Sequence, residues 1–492
     1  MSIWKKKPLS QLLNEASESE KGLKRTLTAW SLVALGIGAI IGAGLFVRTA
    51  TAAAQNAGPS VTIGFIVAAV GCALAGLCYA ELSSSIPISG SAYTYTYATM
   101  GELLAWIIGW DLILEYAVGA ATVGIAWSEY LNNLLVNVLH VDPIPYALCH
   151  SPFQTSITGE QGMINLPAFF IVAAISLLLI KGTKESAFVN GLIVVVKVAI
   201  VILIIVLGWN FINPANHTPY IPQNSVFVDE HGVNHHFGGI MGILGAAGTV
   251  FFAFIGFDAV STAAQETKNP KRDMPIGILG SLAVCTVLYI LFAHVLTGLE
   301  SVEFFRTGGK EASVANAITS SMGASYQWLS QFVTVAILFG FTSVILVMLL
   351  GQSRVFYAMG KDGLLPKAFG DLHSKYQTPY KANLAILVIV GLFAAFIPGD
   401  IVGDMTSIGT LFAFILVCIS VIVLRKTEPD MKREFKTPFV PFVPILGVVV
   451  CLAMIYGLGW TNWLRLIAWL AIGLVIYFTY SKNNSKLNNP NK

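Results

Sequence analysis

The chain has 492 residues, 55% of them hydrophobic and only 11% charged, against about 25% charged in an ordinary soluble domain. No soluble core hides that much apolar surface, so lipid must solvate the excess. The 29 basic and 26 acidic residues nearly cancel, so net charge offers no argument for a nucleic-acid partner, and none is expected.

The first 27 residues are polar and read as a cytoplasmic N-terminal segment. No cleavable signal is expected, because the first apolar run is too long and lacks a small-residue cleavage site. A spanning helix needs about 20 mostly apolar residues. Windows of that length predict spans near 28–50, 60–81, 103–131, 163–180 and 187–211. Seven more follow near 239–264, 276–299, 327–353, 382–398, 401–424, 437–457 and 461–480. Cys72, Cys78, Cys285, Cys418 and Cys451 fall inside these runs, and Cys149 lies alone in a loop, so no disulfide framework is expected.

The Lys and Arg bias of the loops sets orientation. With the N-terminus in the cytoplasm, 24 of the 29 basic residues lie on that side. Arg48, Arg306, Lys310 and Arg465 fall near the other side, and Lys197 lies inside a span. Twelve spans with both ends inside the cell fit without strain, which points to the inner (plasma) membrane. The outer loops 132–162 and 212–238 contain no Lys or Arg. The second holds His217, His231, His235 and His236, whose spacing matches no tight zinc pattern, so exposed loop histidines and no metal site are expected.

Spans 1–5 and 6–10 are each five helices, and an odd number makes the two sets start from opposite sides. Inverted repeats of this kind place a substrate near the bilayer midplane, on helices interrupted there. The first helix of each set carries a glycine-containing stretch: GIGAIIGAGLF at 36–46 and TVFFAFIGFDAV at 249–260. Each glycine inside a helix costs about 1 kcal/mol relative to Ala. Close packing through Gly38 and Gly42 would justify that cost. So would a broken helix whose freed N–H groups at Gly42, Ala43 and Gly44 bind a carboxylate, and the matching break in span 6 favours this second reading. If span 6 stops near Ile255, the carbonyls of Phe252, Ala253 and Ile255 become acceptors for an ammonium group. Donors on one break and acceptors on the other suit the two poles of an amino acid. Phe252 and Ile255 would line the side-chain pocket.

Glu115, Lys197 and Asp258 are ionisable residues inside apolar runs, where such groups are rare and functional. A structural ion pair of Lys197 with Glu115 is the alternative. Asp111, one turn before Glu115, reads as a packing or capping group, and His294 as a helix-contact residue.

Four stretches together resemble one family: LKRTLTAWSLVALGIGAIIGAGLF (23–46), GWDLILEY (109–116), FFAFIGFDAVSTAAQETKNPKRDMP (251–275) and GQSRVFYAMGKDGLLP (351–366). The likeness is to the cationic amino acid transporters of the amino acid–polyamine–organocation superfamily. It implies an all-α integral membrane protein of about twelve helices: a five-plus-five inverted repeat with helices 1 and 6 broken, and two C-terminal additions. The expected division is 1–27 cytoplasmic, 28–211 first repeat, 212–238 outer loop, 239–424 second repeat, 425–480 two added helices and 481–492 cytoplasmic tail. The resemblance implies substrate carboxylate at Ala43 and Gly44 and substrate amine at span 6 carbonyls. Asp258 matches the family acid after the break, and Lys197 a proton-linked span 5 lysine that would bond carbonyls around Ile40 and Ile41. Gln265 departs from the pattern, since many relatives carry an acid there. Met348 stands where members carrying arginine and lysine have a serine, which implies small or medium neutral substrates.

The expected activity is proton-coupled uptake of L-amino acids by a monomer, with no cofactor. Cationic substrates, exchange and sodium coupling are the alternatives. An enzyme is disfavoured because no HExxH or GxSxG occurs, and a channel because paired broken helices suit an enclosed site.

Overall fold

A computed structural model of the chain describes residues 3–489 apart from 9, 13–26, 87–90, 157, 182–185, 230–231, 308–312 and 377. Lys21, Lys24, Arg25, Lys184, His231, Lys310 and Lys492 lie outside those residues, as does the side chain of Gln265.

Among the described residues, eight apolar helical stretches are long enough to cross a bilayer, and four shorter apolar helices complete a set of twelve spans. Span 1 runs Ala29–Ile40, breaks, and resumes as Gly44–Arg48, Thr49–Ala52 and Ala53–Ala57. Span 2 is Val61–Ser85, span 3 runs from Glu102–Ile113 through Leu114–Val118 to Gly119–Asn137, span 4 is Leu166–Lys181 and span 5 is Ser186–Gly208. Span 6 is Gly239–Phe251 with a tighter turn Phe252–Phe254, followed after its break by Asp258–Glu266. Spans 7 to 12 are Pro270–Leu299, Gln327–Lys361, Tyr380–Phe396, Gly399–Thr427, Phe442–Gly457 and Trp460–Ile476. Several starts follow from proline. Pro270 opens its helix, and Pro379, Pro398 and Pro441 stand just before theirs, where a missing N–H costs nothing.

Spans 1, 2, 6 and 7 pack mainly on one another, and spans 3, 4, 8 and 9 form a second group. Span 5 leans on spans 1, 7 and 8, while span 10 contacts spans 2 and 3 and carries span 11. The outward faces are apolar: Phe170, Val195, Val287, Phe339, Val388, Val449 and Val475 are exposed, whereas Glu115, Lys197 and Asp258 are buried. That inversion is what a lipid solvent selects.

The connecting segments are more ordered than bare loops. Ser91–Thr99 is a helix before span 3, and Val302–Thr307 and Ser313–Met322 are helices between spans 7 and 8. The 212–238 loop folds into an antiparallel hairpin of β1 (Ser225–Val228) and β2 (Asn234–Phe237). The guanidinium of Arg306 lies over the rings of Phe227 and Phe237 and holds that hairpin down.

Residues 3–7 and 477–488 dock on one face. Glu102 and Leu103 donate their amides to the carbonyls of Lys5 and Ile3 at 3.1 and 3.0 Å. The fully buried Glu102 carboxylate accepts from Tyr97, Tyr477, Ser485 and Asn488. Asp362 at the end of span 8 pairs with Lys7 at 2.8 Å and accepts from Tyr93.

Candidate substrate and proton site

Span 1 stops because Ile41 leaves the helix for extended backbone, φ −71° and ψ 106°. When the helix resumes, Leu45 and Phe46 donate their amides to the Gly42 carbonyl. The amides of Ala43 and Gly44, at the start of this second half, have no carbonyl within it to bond. Span 6 ends in the same way at Ile255, ψ 136°, and Gly256 takes φ +110°, a conformation that glycine alone adopts cheaply.

The two breaks meet backbone to backbone. A Cβ added to Gly44 would lie 2.2 Å from Cα of Ala253, and one added to Gly256 would lie 3.1 Å from the backbone of Ala39. Gly42 faces span 8, where its added Cβ would come 3.0 Å from a methyl of Val344. These glycines therefore serve close approach as well as interruption.

Lys197 crosses from span 5 to the span 1 break. Its Nζ donates to the carbonyls of Gly38 and Ile41 at 2.9 and 3.0 Å. Gly340 on span 8 makes room for the stem, since a Cβ there would stand 2.9 Å from Lys197 Cε. The ion pair with Glu115 is not formed, because the helix-end carbonyls take the ammonium instead. Ile40, expected among the carbonyls reached by Lys197, is served by another residue. Tyr289 on span 7 donates its hydroxyl toward both Ile40 O at 2.9 Å and Ala253 O at 3.0 Å, one from each break. The Phe252 carbonyl is also taken, accepting from the Ile255 amide within the tight turn. Two of the three expected span 6 acceptors are thus occupied in this conformation.

Tyr289 was not singled out from sequence. A tyrosine in the apolar run of span 7 carries no periodic mark, and its role depends on which carbonyls it meets.

Glu115 and Asp258 form a second centre. The Tyr116 hydroxyl donates to Asp258 Oδ2, and the Glu115 and Asp258 carboxyls interact electrostatically. The π-helical turn Leu114–Val118 carries both Glu115 and Tyr116. Such a bulge re-aims side chains and is frequent at functional sites. Among the described residues, both Glu115 oxygens, both Asp111 oxygens and Asp258 Oδ1 have no hydrogen-bond partner despite burial. Asp111 faces span 10 at Gly409 rather than capping a helix.

Met348 is buried and reaches Gly119 of span 3, its Sδ 3.3 Å from a Cβ built there, with Thr406 of span 10 beside it. It stands one turn from Val344, the span 8 side chain directly against Gly42. His294 contacts the 212–238 loop, its ring 4.5 Å from that of His217 and its Nδ1 3.4 Å from the Tyr220 hydroxyl. His235 pairs with Asp229 at 2.8 Å.

Residues 27–483 match the family described as amino acid permease. A branched-chain amino acid permease of Bacillus subtilis is 45% identical over 99% of each chain. A methylthioribose transporter of the same organism is 42% identical over 99% of each chain. More distant is a vacuolar cationic amino acid transporter of Arabidopsis thaliana, 36% identical over 83% of this chain and 61% of its own. With buried charges at two facing helix breaks and a family match over nearly its whole length, the chain belongs to the amino acid permeases of the amino acid–polyamine–organocation superfamily: a multi-pass membrane transporter, not an enzyme.

Proposed function

We propose that the protein takes up neutral L-amino acids of small to medium size, branched-chain ones included, together with protons. It would work as a monomer in the plasma membrane, with both termini cytoplasmic. The five-plus-five repeat with two added helices would supply alternating access, with 28–211 and 239–424 as its halves.

One observation carries the reading: Lys197 donates to Gly38 and Ile41 at the span 1 break, which faces the span 6 break. An ammonium there does the work of a bound cation, so its loss frees span 1 to move. Donors at Ala43 and Gly44 would hold the carboxylate. The amine would displace the Tyr289 hydroxyl from Ala253 and also meet Ile255. The names of the bacterial relatives support a neutral substrate, and buried Met348 fills space that a long cationic side chain would need. Glu115 and Asp258 would hold the proton on its way, because a shared proton relieves two carboxylates buried side by side.

Counterflow into proteoliposomes tests this with leucine, valine, alanine, arginine and methylthioribose as competitors. Leucine or valine should compete strongest, and an inward proton gradient should accelerate uptake with no response to sodium. Competition by methylthioribose alone would refute an amino acid site, since that sugar thioether has neither a carboxylate nor an ammonium for the two breaks.

A further inference from the structure

Away from the breaks, the start of span 7 and the segment before span 11 flank an open groove of about 560 Å³. The Lys268 amide donates to the Leu27 carbonyl nearby, which fixes this end of span 7 beside the start of span 1. Lys271 and Arg272 stand at the groove's rim, and Ile276, Leu279, Gly280 and Phe435 form its wall. We propose that this groove binds an anionic phospholipid, its phosphate on the two basic residues and an acyl chain along span 7.

The rim has positive charge to spare. Arg272 has no hydrogen-bond or ion-pair partner among the described side chains, and Lys271 is held only by Glu434 at 3.6 Å. Glu434 is itself shared with Lys432 at 3.4 Å, so one carboxylate serves two cations and leaves Arg272 unmatched. Arg433, in the same segment, is already committed to Glu81 and to the carbonyls of Glu428 and Met431. A basic pocket at the membrane boundary is the usual receptor for an acidic headgroup.

The wall separates a lipid from free phosphate. Gly280 contributes no side chain to the wall and lets span 1 pack close behind it, since a Cβ there would lie 3.1 Å from Val33. From Ile276 an exposed apolar track continues through Val284, Val287 and Leu291. Those spacings of eight, three and four keep the track on one helix face. A phosphate ion would use the rim alone, whereas a lipid would also lay an acyl chain along this track.

The full-length protein, purified in neutral detergent, is titrated with dioctanoyl phosphatidylglycerol, dioctanoyl phosphatidylcholine or inorganic phosphate while its melting temperature is followed. Phosphatidylglycerol should raise the melting temperature with dose, and the other two should not. K271Q/R272Q should need about tenfold more phosphatidylglycerol or beyond for the same shift, with K271R/R272K restoring the wild-type curve. I276S should weaken the response with the rim intact. Stabilisation by phosphatidylcholine or phosphate equal to that by phosphatidylglycerol overturns the proposal, as does a wild-type curve in K271Q/R272Q. A wild-type curve in I276S overturns the acyl-chain track.

Discussion

Two side chains decide how the span 1 break behaves. Lys197 is the sole described side chain donating to Gly38 and Ile41, so Lys197→Ala should remove the response of uptake to an inward proton gradient while the protein still folds. A pH profile in that variant matching wild type would refute its coupling role. Tyr289 ties the same break to span 6. Tyr289→Phe strands two carbonyls and should lower stability by about 1–3 kcal/mol, read as a lower melting temperature. Substrate affinity should rise, because the ammonium no longer competes with a hydroxyl at Ala253. Unchanged melting and affinity together would remove Tyr289 from the site. Lys197 was legible as a charge where none belongs, whereas Tyr289 looked like any aromatic on an apolar face.

At the scale of elements, the broken helices were the most legible feature, because glycines at Gly42, Gly44 and Gly256 interrupt otherwise strong helical patterns. What they could not disclose is how closely the halves approach. The close approach to Ala253 means that even one methyl at Gly44 collides with span 6 backbone. Gly44→Ala should therefore already abolish the melting shift caused by substrate, and an intact shift would place the carboxylate elsewhere. Span 8 offers a second test. Met348→Ser opens space beside Gly119 and Thr406 and should raise arginine uptake relative to leucine, with an unchanged ratio counting against a selectivity role. The 212–238 loop gives a third. Burial and the neighbouring His294 push His217 below the usual histidine range. Docking of the loop is thus strongest above about pH 6.5 and weakens as acid protonates the ring. Proteolysis of 212–238 should be faster at pH 5 than at pH 7.5, and His217→Gln should erase the difference.

Across the whole molecule, alternation of apolar runs and basic loops made the twelve spans readable, with boundaries shifted mainly where a helix is longer than its apolar window, as in Glu102–Asn137 and Gln327–Lys361. The clasp at Glu102 and Asp362 was not readable, since each acid looks like an ordinary charge at a helix end until distant segments reach it. Lys5 Nζ lies 2.5 Å from the Leu487 carbonyl, so residues 5 and 487 are neighbours in space. Between them the path very nearly closes into a ring. A short peptide joining these two points would permit a circularly permuted permease, with new ends opened in the 425–441 connection. Spans 11 and 12 would then be synthesised ahead of both halves while every helix kept its neighbours.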